Sequence, residues 1–227
     1  MRLPHKIRWI AYGIGIYGLL LMLTTAAAWT VNYRTERRSS ALLKSLLTLR
    51  IGESKLSDIQ RAFDGFEVSN GGGFTPECGG RMTSYDAVVY NAFAYRLVSR
   101  APVLYRFGLH PWGTSASAWV NSQSRVCALI FQVGFSSADL KTGTEVRSMF
   151  SWPDPDFPPT QVPLAGSLLR GNRYIRIHVS TDTDELTKRN AFGFDFSCFR
   201  TLQGCKGAEE LLPALAQQYR AATSPRP

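Results

Sequence analysis

The sequence predicts an α+β protein in which one N-terminal transmembrane helix precedes a domain with a mainly antiparallel sheet and packed helices. Three observations carry this. Residues 9–33, WIAYGIGIYGLLLMLTTAAAWTVNY, form a run of 25 residues without a charge, and ~20 apolar helical residues cross a hydrocarbon core of ~30 Å. SASAWVN and RVCALIFQVGF flank the short polar turn Ser122-Gln123-Ser124, as in a β-hairpin. Helical and strand patterns are interspersed without strict βαβ alternation, which favours helices on an antiparallel sheet.

The chain divides into a short basic tail (1–8), the membrane segment (9–33), a juxtamembrane helix (34–50), a soluble domain (51–222) and a disordered tail (223–227). Trp9 and Tyr12 at one end of the apolar run and Trp29 and Tyr33 at the other fit the aromatic belts of a spanning helix. The competing reading is a cleaved signal peptide, with Arg2, Lys6 and Arg8 as its basic region and Ala26-Ala27-Ala28 as its cleavage site. The apolar run exceeds the ~7–15 residues of such a segment, which favours an uncleaved anchor. Lys and Arg number three before the run and four within residues 34–44, so the positive-inside rule does not set the orientation. A basic tail before a first apolar segment favours a cytoplasmic N-terminus and an extracytoplasmic C-terminal domain.

In RTERRSSALLKSLLTLR (34–50), Leu42, Leu43, Leu46, Leu47 and Leu49 lie mostly on one helical face. This helix either continues out of the membrane segment or breaks at Ser39-Ser40. Gly52 ends it, and Ser54 caps a short helix over about 55–63, with Leu56, Ile59 and Phe63 on one side. FEVSN then suggests a strand, and Gly71-Gly72-Gly73 reads as a flexible turn. It lacks the Lys-Ser/Thr and following helix of a phosphate loop. SYDAVVYN (84–91) is a strand and AFAYRLVSR (92–100) a helix stopped by Pro102.

Along the second hairpin arm, Cys127, Leu129, Phe131, Val133 and Phe135 share one face, the expected core side. TEVRSMFSW adds a strand, and the five prolines from Pro153 to Pro163 mark an extended connection. YIRIHVS (174–180) alternates, with Ile175, Ile177 and Val179 inward and Arg176 and His178 outward. A helix follows over about 183–191, where Asp182 and Glu185 supply a capping box. A last helix over about 208–221 carries Pro213 as a kink or a late start.

Chemical motifs are sparse. Four cysteines in an exported domain permit two disulfides. A turn through Gly204 can bring Cys198 and Cys205 together as one candidate disulfide, whereas Cys78 and Cys127 are either a second pair or free thiols. No CxxC or HxxxH spacing supports zinc. His178, Ser180 and Asp182 do not make a triad, since His178 and Ser180 point the same way on one strand and no GxSxG elbow exists. Lys141-Thr142-Gly143 lacks the partner motifs of a serine β-lactamase, and TDTDE lacks the pattern of a calcium loop. Catalytic, cofactor and metal residues are therefore assigned to none.

The pI of 9.7 raises nucleic-acid binding, yet no such motif is present and the Arg residues are scattered. Of the net charge of +9, residues 1–38 hold six basic and one acidic residue, flanking the membrane segment. The expected partners are the lipid bilayer through residues 9–33 and a protein or envelope component, with no nucleic acid. Arg34, Arg37 and Arg38 are candidate contacts to lipid head groups. Ala11-x-x-x-Gly15 is compatible with homo-oligomer formation but does not establish it.

The apolar N-terminal helix, the RTERR…LLKSLLTLRIGESKLSDIQ lead, Cys78 near the first strand and the late CKGAEELLPAL segment together resemble a group of uncharacterised bacterial single-pass membrane-anchored proteins. The resemblance spans most of the chain and implies anchorage without an activity. LRIGESKLSDIQRAFDGF is loosely similar to the opening of the BamE/SmpA outer-membrane assembly domain. Phe63-Asp64-Gly65-Phe66 stands where that domain has Leu-Gly-x-Pro, and the first cysteine is Cys78 rather than a lipoprotein cysteine. The likeness is one of a helix-start pattern. The function expected is an exported binding or envelope structural/assembly domain on a membrane anchor. The alternative is a membrane-anchored enzyme acting on an envelope component, with His110, His178 or Asp182 meeting in a cleft.

Overall fold

The computed structural model describes residues 5–136, 149–152, 172–180, 191–205, 208–214 and 217. The Pro153–Pro163 connection, the Asp182 capping box with most of its helix, Lys141-Thr142-Gly143 and the 223–227 tail fall outside these residues.

Helix α1 runs from His5 to Leu46 without interruption, 42 residues in all, or about 63 Å at 1.5 Å per residue. It is the one helix among the described residues long and apolar enough to cross a membrane. No break occurs at Ser39-Ser40, because Ser39 is buried and its hydroxyl accepts a hydrogen bond from Thr114 Oγ1 at 2.9 Å. The segments expected to span the membrane and to follow it are thus one helix, ending at Leu46 rather than Leu49 or Arg50.

Ser54 does not cap the next helix, α2 (Leu56–Ala62). Its hydroxyl accepts from the Arg50 N–H at 2.9 Å and closes the intervening turn, while Asp58 accepts from the Lys55 N–H at 2.9 Å. Helix α3 (Ala92–Arg100) forms as its periodicity predicts, with Asn91 capping it by accepting from the Ala94 N–H. The last helical segment among the described residues, α4 (Ala208–Leu211), is interrupted at Leu212, which the Pro213 ring restricts, and helical backbone resumes at Pro213 and Ala214.

Six strands form one sheet: β1 (Glu67–Thr75), β2 (Gly80–Tyr90), β3 (Trp112–Val120), β4 (Val126–Ser136), β5 (Met149–Trp152) and β6 (Asn172–Ser180). Their spatial order is β1-β2-β3-β4-β6-β5. Five pair antiparallel, and the short β5 adds a parallel edge to β6. The protein is therefore α+β with a mainly antiparallel sheet. The β3–β4 turn is held by Asn121, whose side-chain oxygen accepts from the N–H groups of Gln123 and Arg125.

One sheet face carries the core. Ala87, Ala116 and Ala118 leave room for Leu42, Leu43 and Leu46 of α1 to approach β2 and β3, and Leu129, Phe131, Ile175 and Ile177 continue the layer. Phe196, Phe199, Leu211 and Leu212 close it from the C-terminal side.

Two sequence expectations are corrected. Gly71-Gly72-Gly73 is not a turn but the middle of β1, paired with Ser84, Thr83 and Met82. Absent side chains permit this pairing: a Cβ on Gly73 would lie 2.9 Å from Met82 Cε, and one on Gly71 3.0 Å from Ser84 Oγ. Cys127 does not share the core face with Leu129. Trp119 pairs with Ala128 and Val120 with Val126, so Cys127 is the extra residue of a β-bulge and turns to the opposite face.

Candidate functional site

On the face away from the core, the β1–β2 connection folds across the sheet. Pro76–Cys78 form a 3-10 turn, and Cys78 is joined to the bulged Cys127. This disulfide brings Glu77 to His178 of β6, with Oε2 2.9 Å from Nε2. The Trp119 ring lies edge-on to His178 at 5.1 Å. His178 is therefore not an exposed strand histidine; its side chain keeps 22% of its accessible surface. Burial pushes its pKa down, the Glu77 carboxylate opposes that shift, and Arg176 adds to it.

The other polar constellation sits where α1 meets the domain. Asn32, fully buried, donates from Nδ2 to the carbonyls of Gly108 (2.7 Å) and Phe199 (2.9 Å). One turn later Glu36 pairs with Arg200 at 3.0 Å, and burial raises the pKa of Glu36 despite that cation. Neither Glu36 Oε2 nor His178 Nε2 has an aligned hydrogen bond in addition to its close contact with Arg200 or Glu77.

His110 packs beneath this junction. Its Nε2 donates to the Thr201 carbonyl at 2.8 Å, its ring meets Tyr105 edge-on at 4.5 Å, and Gly204 lies against its other side. Burial lowers its pKa, against the effect of the Thr201 and Leu202 backbone. The Cys198–Cys205 disulfide closes the segment that supplies these contacts, so both cysteine pairings considered from the sequence are present.

The structure does not bring the candidate catalytic histidines together. His110 lies on the core side with the C-terminal segment and His178 on the opposite face, while Asp182 is outside the described residues. No group of three or more His, Cys, Asp or Glu side chains is placed to hold a metal ion among the described residues. An open groove of about 460 Å³ lies between the end of α1 and α2. Its ionisable residues are engaged locally, Arg50 with Glu53 and Arg61 with Asp58.

Arg34, Arg37 and Arg38 are exposed on α1, on the side away from Asn32 and Ser39. Arg37 lies over the Tyr33 ring at 5.8 Å, and Tyr33 stacks on Trp29 at 5.4 Å, giving a cation–aromatic ladder along the free side of the helix. Sequence reasoning missed Glu77, Trp119 and Asn32. Asn32 had one available signal, as the last strongly polar residue type inside an otherwise apolar run.

Burial lowers the pKa of both histidines in the folded chain, so the unfolded chain binds more protons than the folded one in the histidine range. Stability is expected to be full above about pH 7 and to fall toward about pH 5. The raised pKa of Glu36 acts in the opposite sense at lower pH, where the folded state holds the extra proton. Urea midpoints measured across this range should decline with acidification, and His110→Gln should flatten the slope. A midpoint that rises on acidification contradicts the assignment.

No family model, curated protein or solved structure matches the chain.

Proposed function

We propose that the protein is a single-pass membrane protein whose α+β domain is held at the extracytoplasmic surface as a binding or envelope structural/assembly module. The observation that carries this is the change in surroundings along α1. Between Tyr12 and Leu23 nearly all of its large apolar side chains are bare, Met22 keeping 74% of its surface and Tyr12 and Ile14 68% each. From Ala28 onward one side of the same helix is buried in the domain. Bare apolar surface of this extent calls for an apolar solvent. Residues 9–27 supply about 28 Å of helix, close to a hydrocarbon core of ~30 Å. Asn32 belongs to the domain by its hydrogen bonds, so the proposed span is 9–27 rather than 9–33.

Two disulfides favour an oxidising compartment, hence a cytoplasmic N-terminus. The enzymatic alternative draws no support from two histidines on opposite faces of the sheet. The test uses the full chain with an N-terminal tag and a C-terminal reporter active only outside the cytoplasm. Retention of the tag in the membrane pellet after alkaline carbonate extraction, with an active reporter, is expected. Release into the supernatant overturns the anchor; loss of the tag from a membrane-free domain identifies a cleaved signal; a silent reporter reverses the orientation.

A further inference from the structure

The β2–β3 connection lies beside the point where α1 leaves its bare stretch. Tyr90 pairs with Gly113, Trp112 with Phe135 and Ser136 with Asn172, so these strand ends share one edge of the sheet. Helix α3 and the 3-10 turn Pro102–Phe107 bridge β2 to β3 along that edge. Ala94 and Leu109 pack on Ala28 of α1, with Leu97, Val98, Leu104 and Val31 around them. Gly108, which ends the turn, receives the Asn32 hydrogen bond. The connection is thus fixed to the first docked turns of α1, directly after the proposed span.

Its outer side is apolar and uncovered. Phe93 keeps 59% of its surface, Val103 53% and the neighbouring Tyr90 56%. Arg96 and Arg100 follow Phe93 at i+3 and i+7, on the same exposed face of α3. An aromatic and aliphatic tip with flanking arginines, on a short helix, is the composition of an element lying in a membrane interface. Trp29 and Tyr33, stacked on α1, follow Ala28, the residue on which Ala94 packs, and aromatic residues gather at bilayer boundaries.

We propose that α3 and the Pro102–Phe107 turn form an interfacial foot that enters the headgroup region of the leaflet from which α1 emerges. Phe93 and Val103 reach the acyl boundary, and the arginines meet lipid phosphates. This rests on α1 spanning the bilayer. The occupant of the patch is the lipid of that leaflet, because the spanning helix brings it there whatever else the domain binds.

Nitroxide labels on Phe93→Cys, Val103→Cys, Leu20→Cys and Phe74→Cys report depth, each in the full chain with native disulfides intact, in phosphatidylcholine/phosphatidylglycerol vesicles. Phe74 is exposed at the end of β1 that pairs next to Gly80, far from the Tyr90 edge. Labels at 93 and 103 are expected to show an oxygen-to-nickel-complex collision ratio several-fold above that at 74, with 20 the highest. A hydrocarbon-like signal at 20 with water-like signals at 93 and 103 overturns the foot and leaves the anchor standing. A water-like signal at 20 overturns the anchor itself.

Discussion

Trp112→Ala is expected to lower the unfolding free energy by about 3–5 kcal/mol, the range for removing a large buried aromatic. Trp112 is fully buried at the start of β3, and its ring stacks on Phe199 with centroids 4.1 Å apart and planes 8° from parallel. Phe196 completes the stack at 5.6 Å. This column joins the sheet to the C-terminal segment, which in turn supplies the Phe199 carbonyl to Asn32. Loss of the indole therefore leaves a cavity at the meeting point of α1, the sheet and the C-terminal segment. Trp112→Phe separates ring packing from polarity, since Trp112 Nε1 is buried without a hydrogen-bond partner. Phenylalanine keeps part of the stack and removes the stranded donor, so its cost should stay within about 1.5 kcal/mol. Both are measured by urea unfolding of the full chain in nanodiscs. A loss below about 1 kcal/mol for Trp112→Ala contradicts a central role for the stack.

Removing the disulfides should separate them by loop length. Cys78 and Cys127 are 49 residues apart, and Cys198 and Cys205 are 7 apart. On the chain-entropy account, closing these loops contributes about 4 and about 2 kcal/mol. Cys78→Ala/Cys127→Ala is thus the costlier double substitution, and it also frees the connection that carries Glu77 to His178. The short loop beside His110 is a smaller contribution with a local effect. Urea midpoints of the two double variants, each compared with the parent under oxidising conditions, check this. A greater loss for the Cys198/Cys205 pair would show that native-state packing, rather than chain constraint, governs the larger effect.

The elements that were readable from sequence are those whose signal is local. The β3–β4 hairpin, the alternation of Ile175, Ile177 and Val179, and helix α3 with its stop before Pro102 each need only neighbouring residues. The errors share a different cause. Gly71-Gly72-Gly73 forms a strand because Met82, Thr83 and Ser84 supply its pairing, and three glycines carry no pattern that announces a partner. Strict alternation places Cys127 inward, and a single bulge against Trp119 and Val120 reverses it. The Glu77–His178 contact joins residues on β6 and the β1–β2 connection that no spacing links. Helix continuity through Ser39-Ser40 likewise depends on a tertiary partner, Thr114. The site was less legible than the fold, because it consists of such contacts between distant segments.

The unbroken α1 also sets the working range of the domain. A flexible tether lets a module sweep a volume that grows with linker length and meet targets at an effective concentration set by that length. Here no slack lies between the proposed span and the sheet: the same helix is itself a layer of the domain core, pinned by Asn32, Ser39 and Leu42. Anchored as proposed, the domain would not search; any target would have to diffuse to it within the membrane plane or arrive at a fixed height above it. Tilt or rotation of the helix would pass to the sheet as a rigid lever, making bilayer thickness a mechanical input to whatever surface the domain presents.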